Sequence, residues 1–286
     1  MRLAVNIAFL FRELPFLARV AAARDAGFEA IEFPWPADHP AQVAEAIRDA
    51  GVAVALINVA AGDLAAGDRG YANDPAERER WRADFDAAMR LADEVSCPTL
   101  NVLAGNRLAG VSMIRQLDCL RANLDWALPR AAGAGRTLTL ELLNPIDTPR
   151  YLLTDPPRIR ALIEAVADPG LRLQFDTYQF GRVIRDVTAT FSDLAPLVGH
   201  IQVGDIPDRH EPGTGAIDWD AFFRAVADAG YDRAIGLEYE PAGETLDGLG
   251  WVERYGLVRR ASAVTAERSE LSSPTFPGNT TRTTPG

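Results

Sequence analysis

The 286-residue sequence predicts a (β/α)8 barrel carrying a disordered C-terminal tail, and three observations point to it. Short β-rich apolar runs alternate with Ala-rich helical patterns from residue 3 to about residue 255, an order that builds a parallel sheet covered by helices. One grammar recurs in ARDAGFEAIEF (23–33), IRDAGVAVALIN (47–58) and VADAGYDRAIGLEY (226–239): a helix ends on Asp-Ala-Gly and a strand follows. Gly27, Gly51 and Gly230 stand where a left-handed residue ends a helix. Finally, the long connections at 60–75, 104–111, 144–155 and 204–218 all follow strands, and in a barrel that is the face on which loops build the site.

Taken in order, the first strand is expected over residues 3–7. Arg12 and Glu13 soon interrupt that apolar stretch, and no small-residue cleavage site follows, so it reads as a strand and not a signal peptide. A helix over 14–26 leads to a strand at 30–33. His39 opens a helix over 40–50, and a strand follows at 52–58. The alternation continues with a helix at 76–94, a strand at 99–103, a helix at 113–134 and a strand at 137–142. Next come a helix at 156–167, strands at 171–175 and 200–203 flanking a helix at 187–194, a helix at 219–229 and an eighth strand at 235–239. A weaker helix falls within 245–255. Residues 1–260 therefore form the barrel domain. Residues 261–286, rich in Ser, Thr, Pro and Gly, are expected to be disordered.

Composition removes several classes of function. All 29 basic residues are arginine, and the absence of lysine excludes Schiff-base chemistry, a pyridoxal-phosphate anchor and a Walker lysine. A net charge of −11 argues against a nucleic-acid or anionic-membrane surface, and no run is long enough to span a bilayer. Cys97 and Cys119 form no zinc or redox pattern, so a reducing cytoplasm is the expected compartment. The partner that remains is a small molecule, and a homo-oligomer is left open.

The strand ends carry the chemistry. The last four strands deliver Glu141, Asp176, Gln202 and Glu238 to one mouth, and an acid at the end of a buried strand is costly without a task. Three carboxylates and an amide oxygen form an oxygen-rich site suited to Mg²⁺ or Mn²⁺ more than to zinc. Considered singly, each acid also fits a helix cap or an ion pair with arginine.

LELLN around Glu141, QFDTYQ around Asp176, GHIQVGDIPDRHEPGTG around Gln202 and GLEYEPAGET around Glu238 resemble the hydroxypyruvate isomerase family of sugar isomerase/epimerase TIM barrels. The resemblance runs from about residue 3 to residue 254 and includes NIAFLF (6–11), AGDLAAGDRG (61–70) and LNVLAG (100–105). It implies that Glu141 and Glu238 are both ligands and the acid–base pair, with Asp176 and Gln202 completing a divalent-metal shell. Two departures are visible: Gln179 stands where relatives carry histidine, and Ala216 where they carry glutamate.

The chemistry of such an isomerisation agrees. Converting hydroxypyruvate to tartronate semialdehyde moves a proton between adjacent carbons through an enediolate, which needs one group to take it and another to return it. An acid substrate also needs a cationic anchor. Arg209 is the candidate, its bland alternative being an ion pair with Asp205, Asp208 or Glu211, and Arg69 could serve instead. His210, Asn6, Asn101 and Gln179 complete the expected substrate contacts. Asn58 stands in a similar place, and Trp35, Tyr178 and Phe11 are candidate pocket walls. His200 is expected to fill a structural position.

Close alternatives are a 2-oxo-tetronate isomerase or a keto-sugar 3-epimerase using the same glutamates; a DNA-repair endonuclease is disfavoured by the charge and by only three histidines. A non-catalytic acid-binding barrel is the alternative of another class.

Overall fold

A computed structural model describes residues 2–36 and 39–257. Eight parallel strands close into a barrel in chain order, with the last paired to the first. The elements run β1 (Arg2–Asn6), α1 (Ala18–Asp25), β2 (Ala30–Phe33), α2 (Pro40–Ala50), β3 (Ala53–Asn58), α3 (Arg78–Glu94), β4 (Thr99–Val102), α4 (Met113–Gly133), β5 (Thr137–Glu141), α5 (Pro156–Val166), β6 (Leu171–Asp176), α6 (Thr177–Gly181), α7 (Val187–Leu194), β7 (Val198–Val203), α8 (Trp219–Asp228), β8 (Ala234–Leu237) and α9 (Gly250–Arg254). The expected tail at 261–286 lies outside the described residues.

All eight expected strands are present, and their ends fall within two residues of the sequence reading. Gly27, Gly51 and Gly230 take φ of 90°, 66° and 67°, the left-handed region a side chain would resist. Helix starts are written in the side chains: Ser112, Asp155, Asp186 and Asp218 each accept a backbone N–H at the head of α4, α5, α7 and α8. Three differences stand out. Helix α1 begins at Ala18, four residues later than expected, because residues 7–17 form turns that roof β1. The last helix has shrunk to the five residues of α9. The short helix α6 is additional, and its cap is Asp176 itself, whose Oδ1 accepts from Tyr178 N at 2.8 Å and Gln179 N at 3.3 Å.

The strands point two chemistries in opposite directions. Val5, Ile31, Leu100, Leu138, Leu173, Phe175, Ile201 and Leu237 join the helices' Val20, Ile47, Phe85, Leu124 and Phe222 in one buried apolar cluster. That annulus between sheet and helices is the hydrophobic core. The lumen is different. Glu32 on β2 bonds His200 and Gln202 on β7, strands that are not neighbours in the sheet, so these contacts cross the barrel's interior.

Inside, Thr139 Oγ1 lies 3.3 Å from Asn101 Oδ1 and 3.1 Å from Gln174 Oε1, and Gln174 Nε2 donates to Gln202 Oε1 at 2.7 Å. A barrel lumen is ordinarily filled by layers of branched apolar side chains. Here amides, a threonine and a carboxylate fill the middle, and alanines fill the lower end. Ala4, Ala30 and Ala55 form a separate small cluster there. Below them a cavity of about 520 Å³ opens among strand starts, lined by Arg2, Ala55, Thr99, Thr137, His200 and Arg233, at the end of the barrel remote from the carboxylates.

Candidate active site

The strand register assembles the mouth. Glu141 ends β5 and pairs with Gln174, Asp176 ends β6 and pairs directly with Gln202, and Glu238 follows β8 with its N–H bonded to Val203 O at 3.1 Å. Glu141, Asp176 and Glu238 each bring a carboxylate oxygen within 4.8 Å of the others. Asp176 is wholly buried and Glu141 is 4% exposed.

Such crowding raises proton affinity. Burial, reinforced by the charges of Glu238 and Asp176, pushes Glu141 well above the ordinary carboxylate range. Burial lifts Glu238 to about 8 against the pull of Arg209, and Asp176 to about 6 against Arg209 and the α6 N–H groups. Like-charged carboxylates at this separation do not all ionise readily, so the cluster holds protons into the neutral range.

Each acid is held by a specific donor. Asn6 Nδ2 donates to Glu238 Oε2 at 2.7 Å and to Glu32 Oε1 at 3.2 Å, and Asn101 Nδ2 donates to Glu141 Oε2 at 3.0 Å and to Asn58 Oδ1 at 3.2 Å. Gln202 turns its amide nitrogen toward the cluster. That nitrogen donates to Glu238 Oε2 and, at 2.7 Å, to Glu32 Oε1, while the amide oxygen accepts from Gln174.

Arg209 reaches into the carboxylate cluster. Its Nη2 donates to Glu238 Oε1 at 2.7 Å and Asp176 Oδ2 at 3.3 Å, and not to Asp205, Asp208 or Glu211. The guanidinium lies 4.5 Å from the Phe9 ring centroid and 4.8 Å from that of Tyr178. Burial works against its charge, but the carboxylates outweigh burial and raise its pKa above the ordinary value.

Other expected contacts are placed more modestly. His210 Nδ1 donates to the Glu240 backbone oxygen at 2.7 Å. Gln179 Oε1 accepts from Asn144 N at 2.8 Å and Asn144 Nδ2 at 2.7 Å, tying α6 to the loop after β5. Ala216 is exposed, and Arg69 folds back on the carbonyls of Leu64 and Asp68. Tyr178 donates to Asp147 Oδ2 at 2.6 Å, Phe11 is buried in the core, and Trp35 packs partly buried against it.

Sequence reasoning missed Glu32, Asp205 and Phe9. Glu32 is fully buried beneath the mouth, 2.6 Å from His200 Nε2, in space left by Gly236, where a Cβ would collide with the carboxylate. Its signal was an acid between Ile31 and Phe33, at the inward phase of a strand. Asp205 collects N–H groups from Ile206, Gly213, Gly215, Ile217 and the Trp219 indole at 2.8–3.2 Å, so it organises the loop that carries Arg209.

The oxygen-only donor set, its burial and its convergence fit a hard divalent cation. Residues 20–255 match the family model described as xylose isomerase-like TIM barrel. The chain is 34% identical over 256 residues to hydroxypyruvate isomerase of Escherichia coli, covering 89% of this chain and 99% of that one. It belongs to the hydroxypyruvate isomerase family of xylose isomerase-like TIM barrels.

Within that family it is also 36% identical over 255 residues to 2-oxo-tetronate isomerase of Cupriavidus necator, covering 89% of this chain and 98% of the relative. Among solved structures, one from Brucella melitensis described as AP endonuclease, family 2, superposes with a TM-score of 0.84 at 30% identity, covering 89% and 98% of the two chains. An Escherichia coli 3-keto-D-glucoside 4-epimerase shares the fold at a TM-score of 0.71 and 20% identity.

Proposed function

We propose that this protein interconverts hydroxypyruvate and tartronate semialdehyde, with Glu141 and Glu238 as the proton-transfer pair. The observation that carries the reading is the convergence of these two glutamates, both raised in proton affinity, with Asp176 in one buried cluster. Two carboxylates that face one site from different strand ends can divide the work, one taking the proton as a base and the other returning it as an acid.

The ionised glutamate takes a proton from C3 of hydroxypyruvate, giving an enediolate. The protonated partner returns a proton to C2, and the hydroxyl proton on O3 passes to O2, leaving an aldehyde at C3. Asn6 and Asn101 hold the two carboxylates in place during both transfers. Glu141 Oε1 makes no hydrogen bond among the described residues, which suits it to meet a substrate hydrogen. Glu141, Asp176 and Glu238 would hold Mg²⁺ or Mn²⁺, with Gln202 as a fourth ligand after its amide is turned over. When bound, the cation supplies positive charge against the enediolate oxygens. Arg209 offers the substrate carboxylate a guanidinium within reach of the same cluster, and His210 and Gln179 lie on the loop and helix that flank it.

Conversion of 2-oxo-tetronate is the second reading, favoured by the similar identity to relatives of that name. Three histidines and a charge of −11 weigh against the endonuclease activity that the description of the Brucella melitensis structure names. A cytoplasmic setting is supported by two free, buried cysteines. The test is an assay in D₂O with Mg²⁺ or Mn²⁺ and a panel of keto acids. Solvent deuterium should appear in the product, and Glu141→Gln and Glu238→Gln should each lose about 10²–10⁴-fold in rate. Wild-type turnover by both variants, with no deuterium incorporated, would overturn the mechanism.

A further inference from the structure

The scaffold has already claimed half of the cluster's carboxylate oxygens. Asp176 Oδ1 caps α6, Glu238 Oε2 accepts from Asn6 and Gln202, and Glu141 Oε2 accepts from Asn101. Three oxygens are left: Asp176 Oδ2, Glu238 Oε1 and Glu141 Oε1. Arg209 Nη2 sits on the first two, at 3.3 Å and 2.7 Å. One cationic nitrogen thus bridges carboxylates from two strands, using the lone pairs that no amide or helix terminus has taken.

Resting on the reading of this cluster as a cation site, we propose that Arg209 is its built-in counter-cation. A divalent ion and the guanidinium compete for Asp176 Oδ2 and Glu238 Oε1, so binding the ion moves Arg209 off them.

Two features make the exchange mechanically simple. Arg209 Nε is buried and makes no hydrogen bond, so among the described residues the guanidinium is held by ion pairs and ring stacking alone. A shift away from the carboxylates breaks only the contacts that the incoming ion replaces. The slot it moves in is fixed, because Tyr178 is anchored to Asp147 and Phe9 covers the other face. Stacking tolerates sliding, whereas a bidentate pair on a rigid carboxylate does not. The charge count explains why a resident cation is needed at all: three carboxylates converge here and a fourth, Glu32, lies just below. Leaving such a group buried without a counter-charge is costly.

The experiment uses the full chain stripped with EDTA, Mn²⁺ as the calorimetric probe, and the variants Arg209→Gln and Arg209→Lys. Arg209→Gln should melt at a lower temperature than the wild type without cation, and saturating Mn²⁺ should close the gap. Its Mn²⁺ affinity should rise about tenfold or more, since a unit charge a few ångströms away is removed together with the competing nitrogen. Arg209→Lys keeps the charge and loses the fork, so tighter Mn²⁺ binding than the wild type there separates competition for oxygens from repulsion through space. In the wild type, with ¹⁵N-labelled arginine, the Nε–H signal absent from Arg209→Lys should move on adding Mg²⁺; this readout stands even where Arg209→Gln fails to fold. Equal Mn²⁺ affinities across the three proteins, with that signal unmoved, would overturn this inference alone. Absence of Mn²⁺ binding in all three would overturn the cation-site reading and this inference with it.

Discussion

At the scale of single residues, the mouth of the barrel is a problem in proton affinity. Glu238 has a folded pKa of about 8 against an ordinary 4.5. Below about 4.5 the group is protonated in both states and contributes no pH dependence. Between there and about 8 the unfolded chain releases its proton while the folded protein keeps it, so stability falls as pH rises. Asp176, raised to about 6, adds to the same slope over the lower part of that window. Denaturant midpoints of the cation-free protein should therefore decline from pH 5 to pH 8.5, and Glu238→Gln should flatten the decline; a midpoint that rises over this range would contradict the assignment. The acids that matter were legible because each ends an apolar run, where burial has to have a reason. Glu32 sits inside its strand and not at the end, so its inward phase marked burial without a role; its partners lie across the lumen on β7.

At the scale of elements, the loop between β7 and α8 is stabilised from within. Asp205 carries five N–H donors and ties the loop through the Trp219 indole to the aromatic core around Phe222 and Phe223. Asp205→Ala should cost about 2–4 kcal/mol by leaving the buried Trp219 indole N–H and four part-buried backbone N–H groups unpaired, read from the urea midpoint. It should also lower activity, because Arg209 is presented by this loop. Gln179 is a smaller case of the same device. Gln179→Ala should free the segment after β5, seen as faster proteolysis near residues 145–150, since both of its side-chain bonds go to Asn144. Strands and most helices could be read from period and capping residues. The helix α6 could not, because its Asp176 cap was already spoken for as a strand-end acid, and five residues are too few to show a period. Of the two family departures, Ala216 is exposed, whereas Gln179 is buried and its N–H reaches Asp176 Oδ1.

At the scale of the whole molecule, the barrel separates stability from chemistry along its axis. The carboxylates occupy one end, and a cavity of about 520 Å³ lined by alanines, threonines and arginines occupies the other. Ala55→Val should fill part of that space and add about 0.5–1 kcal/mol, with kcat unchanged, as measured by thermal melting and assay. The polar lumen between the two ends reaches further than the site. Unfolding exposes the apolar annulus, which raises heat capacity, together with the lumen's amides, hydroxyl and carboxylates, which lower it. Calorimetry should then give a heat-capacity increment below the usual ~12–15 cal/mol/K per residue. The stability curve of this barrel would be correspondingly broad, changing less between cold and warm conditions than that of a barrel filled with branched aliphatic side chains.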